Sequence, residues 1–320
     1  MHASDPTALA PTPSDVLRLS ASVRGPVDPL LRAIGGTPLV PLPVLGPVRS
    51  PAFELWAKAE FLNPTGSVKD RAALSIVRSA LASGRLGPGR TLLDASSGNT
   101  AVAFAFLGAR LGVPVELCVP RNADPGRLER MRAYGAHVVL TDAAEGTDGA
   151  QIEARRRAEA SPDRYFYADQ YNNPANPAAH YATTGPEIWQ QSRGRVTHLV
   201  AGVGTGGTIS GIGRYLREQE PSIRVVGVEP SGPLHGLEGL KHIPSALRPS
   251  TYDSSILDET IRVETEEALE LVDRLAREEG LFVGPSSGAA VAAALVVGER
   301  EPGAFVVTVL PDGGRRREAP

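Results

Sequence analysis

This chain of 320 residues has a single cysteine, Cys118. One thiol cannot close an internal disulfide or build a thiolate metal cluster, and metal chemistry is not indicated. Its setting in the apolar run Val115-Glu116-Leu117-Cys118-Val119 makes Cys118 a buried strand residue rather than a nucleophile. An excess of either charge is missing too. Thirty-three Lys and Arg oppose 36 Asp and Glu, a net charge of −3, so no basic field draws the chain to nucleic acid or to a membrane surface. Small-molecule partners are favoured. No apolar run approaches a membrane span, and the first 25 or so residues, rich in Ala, Pro and Ser, lack the apolar core of a signal peptide. A cytoplasmic protein with a mobile amino-terminal arm is expected. No repeat of solenoid period is visible.

What is present is enough hydrophobic residue, 42%, to bury a large core over a length that exceeds a usual single domain. Two domains are expected. Short apolar runs at 91–95, 113–119, 136–140, 196–201, 223–228 and 305–310 alternate with helical segments at 100–111, 127–134, 209–219, 265–278 and 289–297. That is the cadence of βαβ units building a parallel sheet, so the class is α/β. Two stretches break it, 172–177 and the long segment 230–258, and ligand contacts are expected in both.

Four turns carry candidate chemistry. Asn63-Pro64-Thr65-Gly66-Ser67-Val68-Lys69-Asp70-Arg71 places one lysine between a turn and a helix expected over 71–81, where helix amides favour a phosphorylated ligand. A loop with a solvated lysine fits the segment equally well when it is taken alone. Gly202-Val203-Gly204-Thr205-Gly206-Gly207-Thr208 follows a strand and opens a helix, so its amides can cradle an anion. The same spacing fits the dinucleotide fingerprint, and Glu229 ends the next strand about twenty residues on, which keeps an NAD-linked oxidoreductase open. Ser96-Ser97-Gly98-Asn99-Thr100 presents hydroxyls, an amide and N–H groups where a carboxylate could bind. Gly284-Pro285-Ser286-Ser287-Gly288-Ala289 repeats that architecture. Ordinary helix capping explains either of these two in isolation.

In this order the four segments resemble the pyridoxal-phosphate enzymes of the tryptophan-synthase-β type, and within them the cysteine synthases, or O-acetylserine sulfhydrylases. The resemblance runs from Ile34-Gly35-Gly36-Thr37-Pro38-Leu39 to Leu310-Pro311-Asp312-Gly313-Gly314. It implies fold type II, with two open twisted sheets flanked by helices and the cofactor in the cleft between domains. It also implies a larger cofactor-phosphate-binding domain from 1–52 and 156–320, a smaller mobile substrate-loop domain from 53–155, and a homodimer. By the same resemblance Lys69 forms the Schiff base with pyridoxal phosphate and then serves as general base, and Asn99 bonds the ring hydroxyl. Gly204, Thr205, Gly206, Gly207 and Thr208 hold the phosphate, and Ser286 faces the pyridine nitrogen. Ser96, Ser97, Asn99 and Thr100 hold the substrate carboxylate, with Gln170 beside it.

The implied reaction is β-replacement through an aminoacrylate, giving L-cysteine from O-acetyl-L-serine or O-phospho-L-serine and sulfide or thiosulfate. A neutral serine at the ring nitrogen suits elimination of a β-substituent better than transamination. The segment from Leu237 to Pro244, with Gly239, Lys241 and His242, resembles B-type enzymes more than A-type, and Lys241 could meet an anionic sulfur donor. A solvated lysine is the competing reading. Cystathionine β-synthase, diaminopropionate synthase and serine or threonine dehydratase remain alternatives. The chain departs from the family pattern at Gly36, Ser96 and Ala101, and the tail 315–320 lacks the usual Tyr-Leu-Ser ending.

Overall fold

The computed structural model describes residues 28–46 and 53–314. The expected amino-terminal arm and the altered tail fall outside them. One sheet has six strands in the order β1 (Leu39–Pro41), β2 (Glu54–Ala59), β10 (Phe305–Leu310), β7 (His198–Gly202), β8 (Arg224–Pro230) and β9 (Glu259–Val263). The other has four, in the order β5 (His137–Thr141), β4 (Val115–Pro120), β3 (Thr91–Ala95) and β6 (Tyr165–Tyr167). Every pair is parallel except β1 with β2.

Parallel strands must be covered on both faces, and β4 and β10 are buried at every residue. These near-continuous apolar runs are the ones visible in the sequence, and all six expected strands are present with ends shifted by a residue or two. The strands not expected lack such runs. β9 alternates exposure along Glu-Thr-Ile-Arg-Val, β6 is three residues long, and β2 carries Lys58, whose side chain is fully buried. The helix Gly146–Ala160 also went unforeseen, because only a narrow face with Ala150 and Ala154 is buried.

The sheets divide the chain a little differently from a cut at residue 53. β2 pairs with β10 in the six-stranded sheet, and β6, beyond residue 155, pairs with β3 in the four-stranded one. The expected helix starts also move upstream, to Lys69, Asn99, Gly207 and Pro285. Each Gly- or Ser-rich turn therefore enters the first turn of its helix. The turns before Asn99 and Gly207 leave the carboxyl ends of β3 and β7, the edge where open α/β sheets bind ligands, whereas the Gly284 turn follows the helix Thr265–Glu278 instead of a strand.

Candidate active site

The turns converge on one cavity of about 410 Å³. Lys69, Ser96, Ser97, Asn99, Thr100, Gln170, Gly204, Thr205, Gly206, Thr208, Gly239, Lys241 and Ser286 all line it. Of the residues assigned to the cofactor or the substrate only Gly207 does not, because it packs behind the loop, where an added Cβ would lie 2.2 Å from Asn176 Oδ1.

Lys69 opens the helix Lys69–Ala82. Its entry turn is held by Asp70, which accepts from the Thr65 amide at 2.7 Å and from the Thr65 hydroxyl. Behind it, Val68 N donates to Pro311 O at 2.7 Å, which fastens the turn to the end of β10. Burial lowers the Lys69 pKa below that of an ordinary lysine, opposed by the nearby charge of Asp312. A lysine so placed has a larger neutral fraction at working pH and is a better nucleophile and base.

The loop after β7 is shaped by packing. A Cβ on Gly204 would lie 2.0 Å from Gly239 O, and Gly206 has φ +79 with Tyr252 Cβ only 2.4 Å from its own missing Cβ. Only glycine fits these two positions. Among the described residues the amides of Gly204, Thr205, Gly206 and Thr208 find no hydrogen-bond acceptor, and they sit at the amino terminus of the helix Gly207–Gln219. Amides left without an acceptor along a cavity wall and at a helix amino terminus are suited to receive an anion. Thr205 is fixed from behind by Asn176 Nδ2 on its hydroxyl at 3.0 Å and Thr251 Oγ1 on its carbonyl at 2.7 Å. Thr208 Oγ1 lies 3.3 Å from His180 Nε2, and burial keeps that histidine neutral by pushing its pKa well down.

Across the cavity, Thr100 Oγ1 donates to Gln170 Oε1 at 2.7 Å, and Gln170 Nε2 reaches Ala95 O at 3.3 Å. The amides of Ser97, Asn99 and Thr100 likewise lack an acceptor among the described residues. Ser286 is buried in the first turn of the helix Pro285–Arg300. Lys241 is not a solvated loop residue: its side chain is 16% exposed, 3.8 Å from Asp148 Oδ1, and lies over the Tyr171 ring at 5.0 Å. Asp312 and Arg127, also in the lining, carried no assigned role in the sequence. Asp312 had a positional signal, since it follows the last apolar strand at its carboxyl end. Arg127 sits in a polar helix and had none.

A lysine of lowered pKa, an amide cradle at a helix terminus and a second set of free amides together fit a phosphorylated aldehyde cofactor and an amino-acid carboxylate. The family model described as "Pyridoxal-phosphate dependent enzyme" matches residues 30–312. The chain belongs to that family. It is 49% identical over 295 residues to a cysteine synthase of Aquifex aeolicus, covering 90% of each chain. It is 43% identical over 290 residues to cysteine synthase B of Salmonella typhimurium, covering 91% of this chain and 94% of that one. Among solved structures it is similar to a cysteine synthase of Entamoeba histolytica, with a TM-score of 0.86, 31% identity, and coverage of 100% of this chain and 96% of that one. The nicotinamide alternative falls with the family match. Glu229, the acidic residue it needs, is buried and absent from the cavity lining. Among the described residues no helix is long and apolar enough to cross a membrane.

Proposed function

We propose that this pyridoxal-phosphate dependent enzyme makes L-cysteine by β-replacement, taking O-acetyl-L-serine or O-phospho-L-serine as acceptor and sulfide or thiosulfate as sulfur donor. One observation carries the reading: Lys69, its pKa lowered by burial, stands between an amide cradle for phosphate and a second amide cradle for carboxylate. When bound, pyridoxal phosphate supplies the electron sink for the charge left on the α-carbon after its proton departs.

The chain's own residues do the rest. Gly204, Thr205, Gly206 and Thr208 hold the phosphate through backbone N–H groups, and Gly207 lets the loop pack tightly on Asn176. Ser96, Ser97, Asn99 and Thr100 orient the substrate carboxylate, with Gln170 bracing Thr100. That fixes the α-hydrogen toward Lys69, whose Nζ takes the proton as general base. With the cofactor bound, Asn99 would donate to its ring hydroxyl and Ser286 would offer its ring nitrogen a neutral partner. Gly239 and Lys241 border the donor's entry, and the identity of 43% to a cysteine synthase B supports the B-type assignment. A homodimer in the cytoplasm, with the four-stranded sheet moving as the smaller substrate domain, completes the proposal.

The test is to assay purified protein against both acceptors with both donors. Cysteine formation from at least one pair is expected. Failure with all pairs, alongside turnover of serine with homocysteine or ammonia release from serine or threonine, would transfer the assignment to a related enzyme of the same fold.

A further inference from the structure

Asp312 joins three of the turns that build the cavity. Its backbone bridges to Ser67, two residues before Lys69, and its carbonyl accepts from Gly284 N at 3.1 Å, just ahead of Ser286. Its carboxylate Oδ2 accepts from Asn99 Nδ2 at 2.7 Å. Oδ1 is buried without a hydrogen-bond partner, and a Cβ on Gly284 would lie 2.3 Å from it. A methyl group there would expel the carboxylate.

An ionised carboxylate only accepts hydrogen bonds, so the end of the Asn99 amide that faces it must be the NH2 group. One N–H is used on Asp312, and the second is left for a ligand. The flip of Asn99 is thereby set, and the anion behind it makes its remaining N–H a weaker donor, which draws less electron density from the cofactor's ring oxygen and leaves the linkage to Lys69 more basic. We propose that Asp312 is a positioning residue: it locks Asn99 as a donor to the cofactor's ring hydroxyl and, through that donor, its negative charge favours the protonated form of the cofactor–Lys69 linkage. The inference rests on the assignment of Asn99 made above. Burial raises the Asp312 pKa, opposed by the Asn99 hydrogen bond and by the Arg127 and Lys69 charges. In the loaded enzyme the cationic linkage takes the place of the Lys69 ammonium in that opposition.

The experiment uses the holoenzyme without substrate and follows its visible absorbance band against pH. Asp312→Asn is nearly isosteric and keeps an acceptor for Asn99 while removing the charge. Asp312→Ser is run in parallel as a second uncharged acceptor, so that a folding failure of one leaves the other to decide. Both are expected to retain cofactor and to lower the midpoint of the titration by about one pH unit, a tenfold loss of proton affinity. A cycle with Asn99→Ala checks the route, and the shift in the double variant is expected to be less than the sum of the single shifts. A titration that superposes on the wild type with full cofactor content would overturn the proposal, as would additive shifts, because a purely structural Asp312 moves stability and not the band. The two readings fail separately. A wild-type protein with no visible band after incubation with pyridoxal phosphate sinks the cofactor assignment, whereas a normal wild-type band unmoved by Asp312→Asn sinks this proposal alone.

Discussion

Replacing Glu187 by Gln should destabilise the fold through a charge cluster that pins the Lys69 helix. Glu187 accepts from Arg71 Nη1 and Nη2 at 2.7 Å each and lies 2.6 Å from Lys58 Nζ. The Lys58 side chain is 0% exposed and that of Arg71 2%, so neither cation can turn to water. Arg71 keeps Glu60, at 2.7 Å, but Lys58 is left with Gln191 Oε1 and the Thr37 carbonyl alone. Removing one partner of a buried pair costs about 3–5 kcal/mol, because it strands the other charge. The pH dependence gives a second measure of the same interaction. Burial pushes the Glu187 carboxyl up, but the Arg71 hydrogen bonds and the charges of Arg71 and Lys58 outweigh it, and its pKa falls from 4.5 to about 2. A carboxyl depressed in the folded state contributes stability that is fully present above about 4.5 and lost as pH falls toward 2. The shift corresponds to about 3 kcal/mol. Urea unfolding followed by tryptophan fluorescence at neutral pH and near pH 3 should show the wild type losing stability between the two and the variant losing less. A deficit at neutral pH under about 1 kcal/mol, the size of an exposed pair, would refute the reasoning.

Gly206→Asp should strip the cofactor, since Gly206 needs φ +79, has Tyr252 against it, and would place a negative charge in the phosphate cradle; an unchanged cofactor-to-protein ratio after extensive dialysis contradicts the placement. Lys241→Ala should lower kcat/KM for thiosulfate more than for sulfide, by roughly fivefold at one fixed acceptor, since a partly screened ion pair is worth about 1 kcal/mol. Asp148, 3.8 Å from Lys241, already takes part of that charge, and equal losses for both donors would leave Lys241 a packing residue over Tyr171. Cys118 is fully buried and its thiol is pushed up to about 12, chiefly by burial, so a thiol reagent should label it only after unfolding; prompt labelling of the native protein at neutral pH would show that β4 opens.

The parts of this molecule that could be read from the chain are those where one physical requirement writes an unbroken pattern. Strands buried on both faces, such as Phe305–Leu310, are apolar but for a single residue, Thr308, and turns that receive anions concentrate Gly, Ser and Asn. The elements that escaped are held by partners distant in sequence. Lys58 looks like a break in an apolar run, yet Glu187, 129 positions on, neutralises it and lets β2 enter the large sheet. Asp312 follows a strand as any loop aspartate might, and only the fold brings it to Asn99. Arg127 is one of several arginines in a short polar helix until its guanidinium meets Glu238 at 2.9 Å. Glu116 lies in a strand buried at every position, where Arg157 at 2.9 Å and the Tyr165 hydroxyl at 2.8 Å satisfy it.

The central claim is that Lys69 carries the cofactor, and borohydride reduction followed by peptide mapping tests it most directly. The purified protein should be yellow, lose its visible band on reduction, and yield one pyridoxyl-modified peptide, the one containing Lys69. Lys69→Ala should show neither the band nor the modified peptide, with turnover lower by orders of magnitude, because a nucleophile and a general base are lost together. Modification mapped to Lys58 or Lys241 instead, or near-normal turnover in Lys69→Ala, would contradict the account.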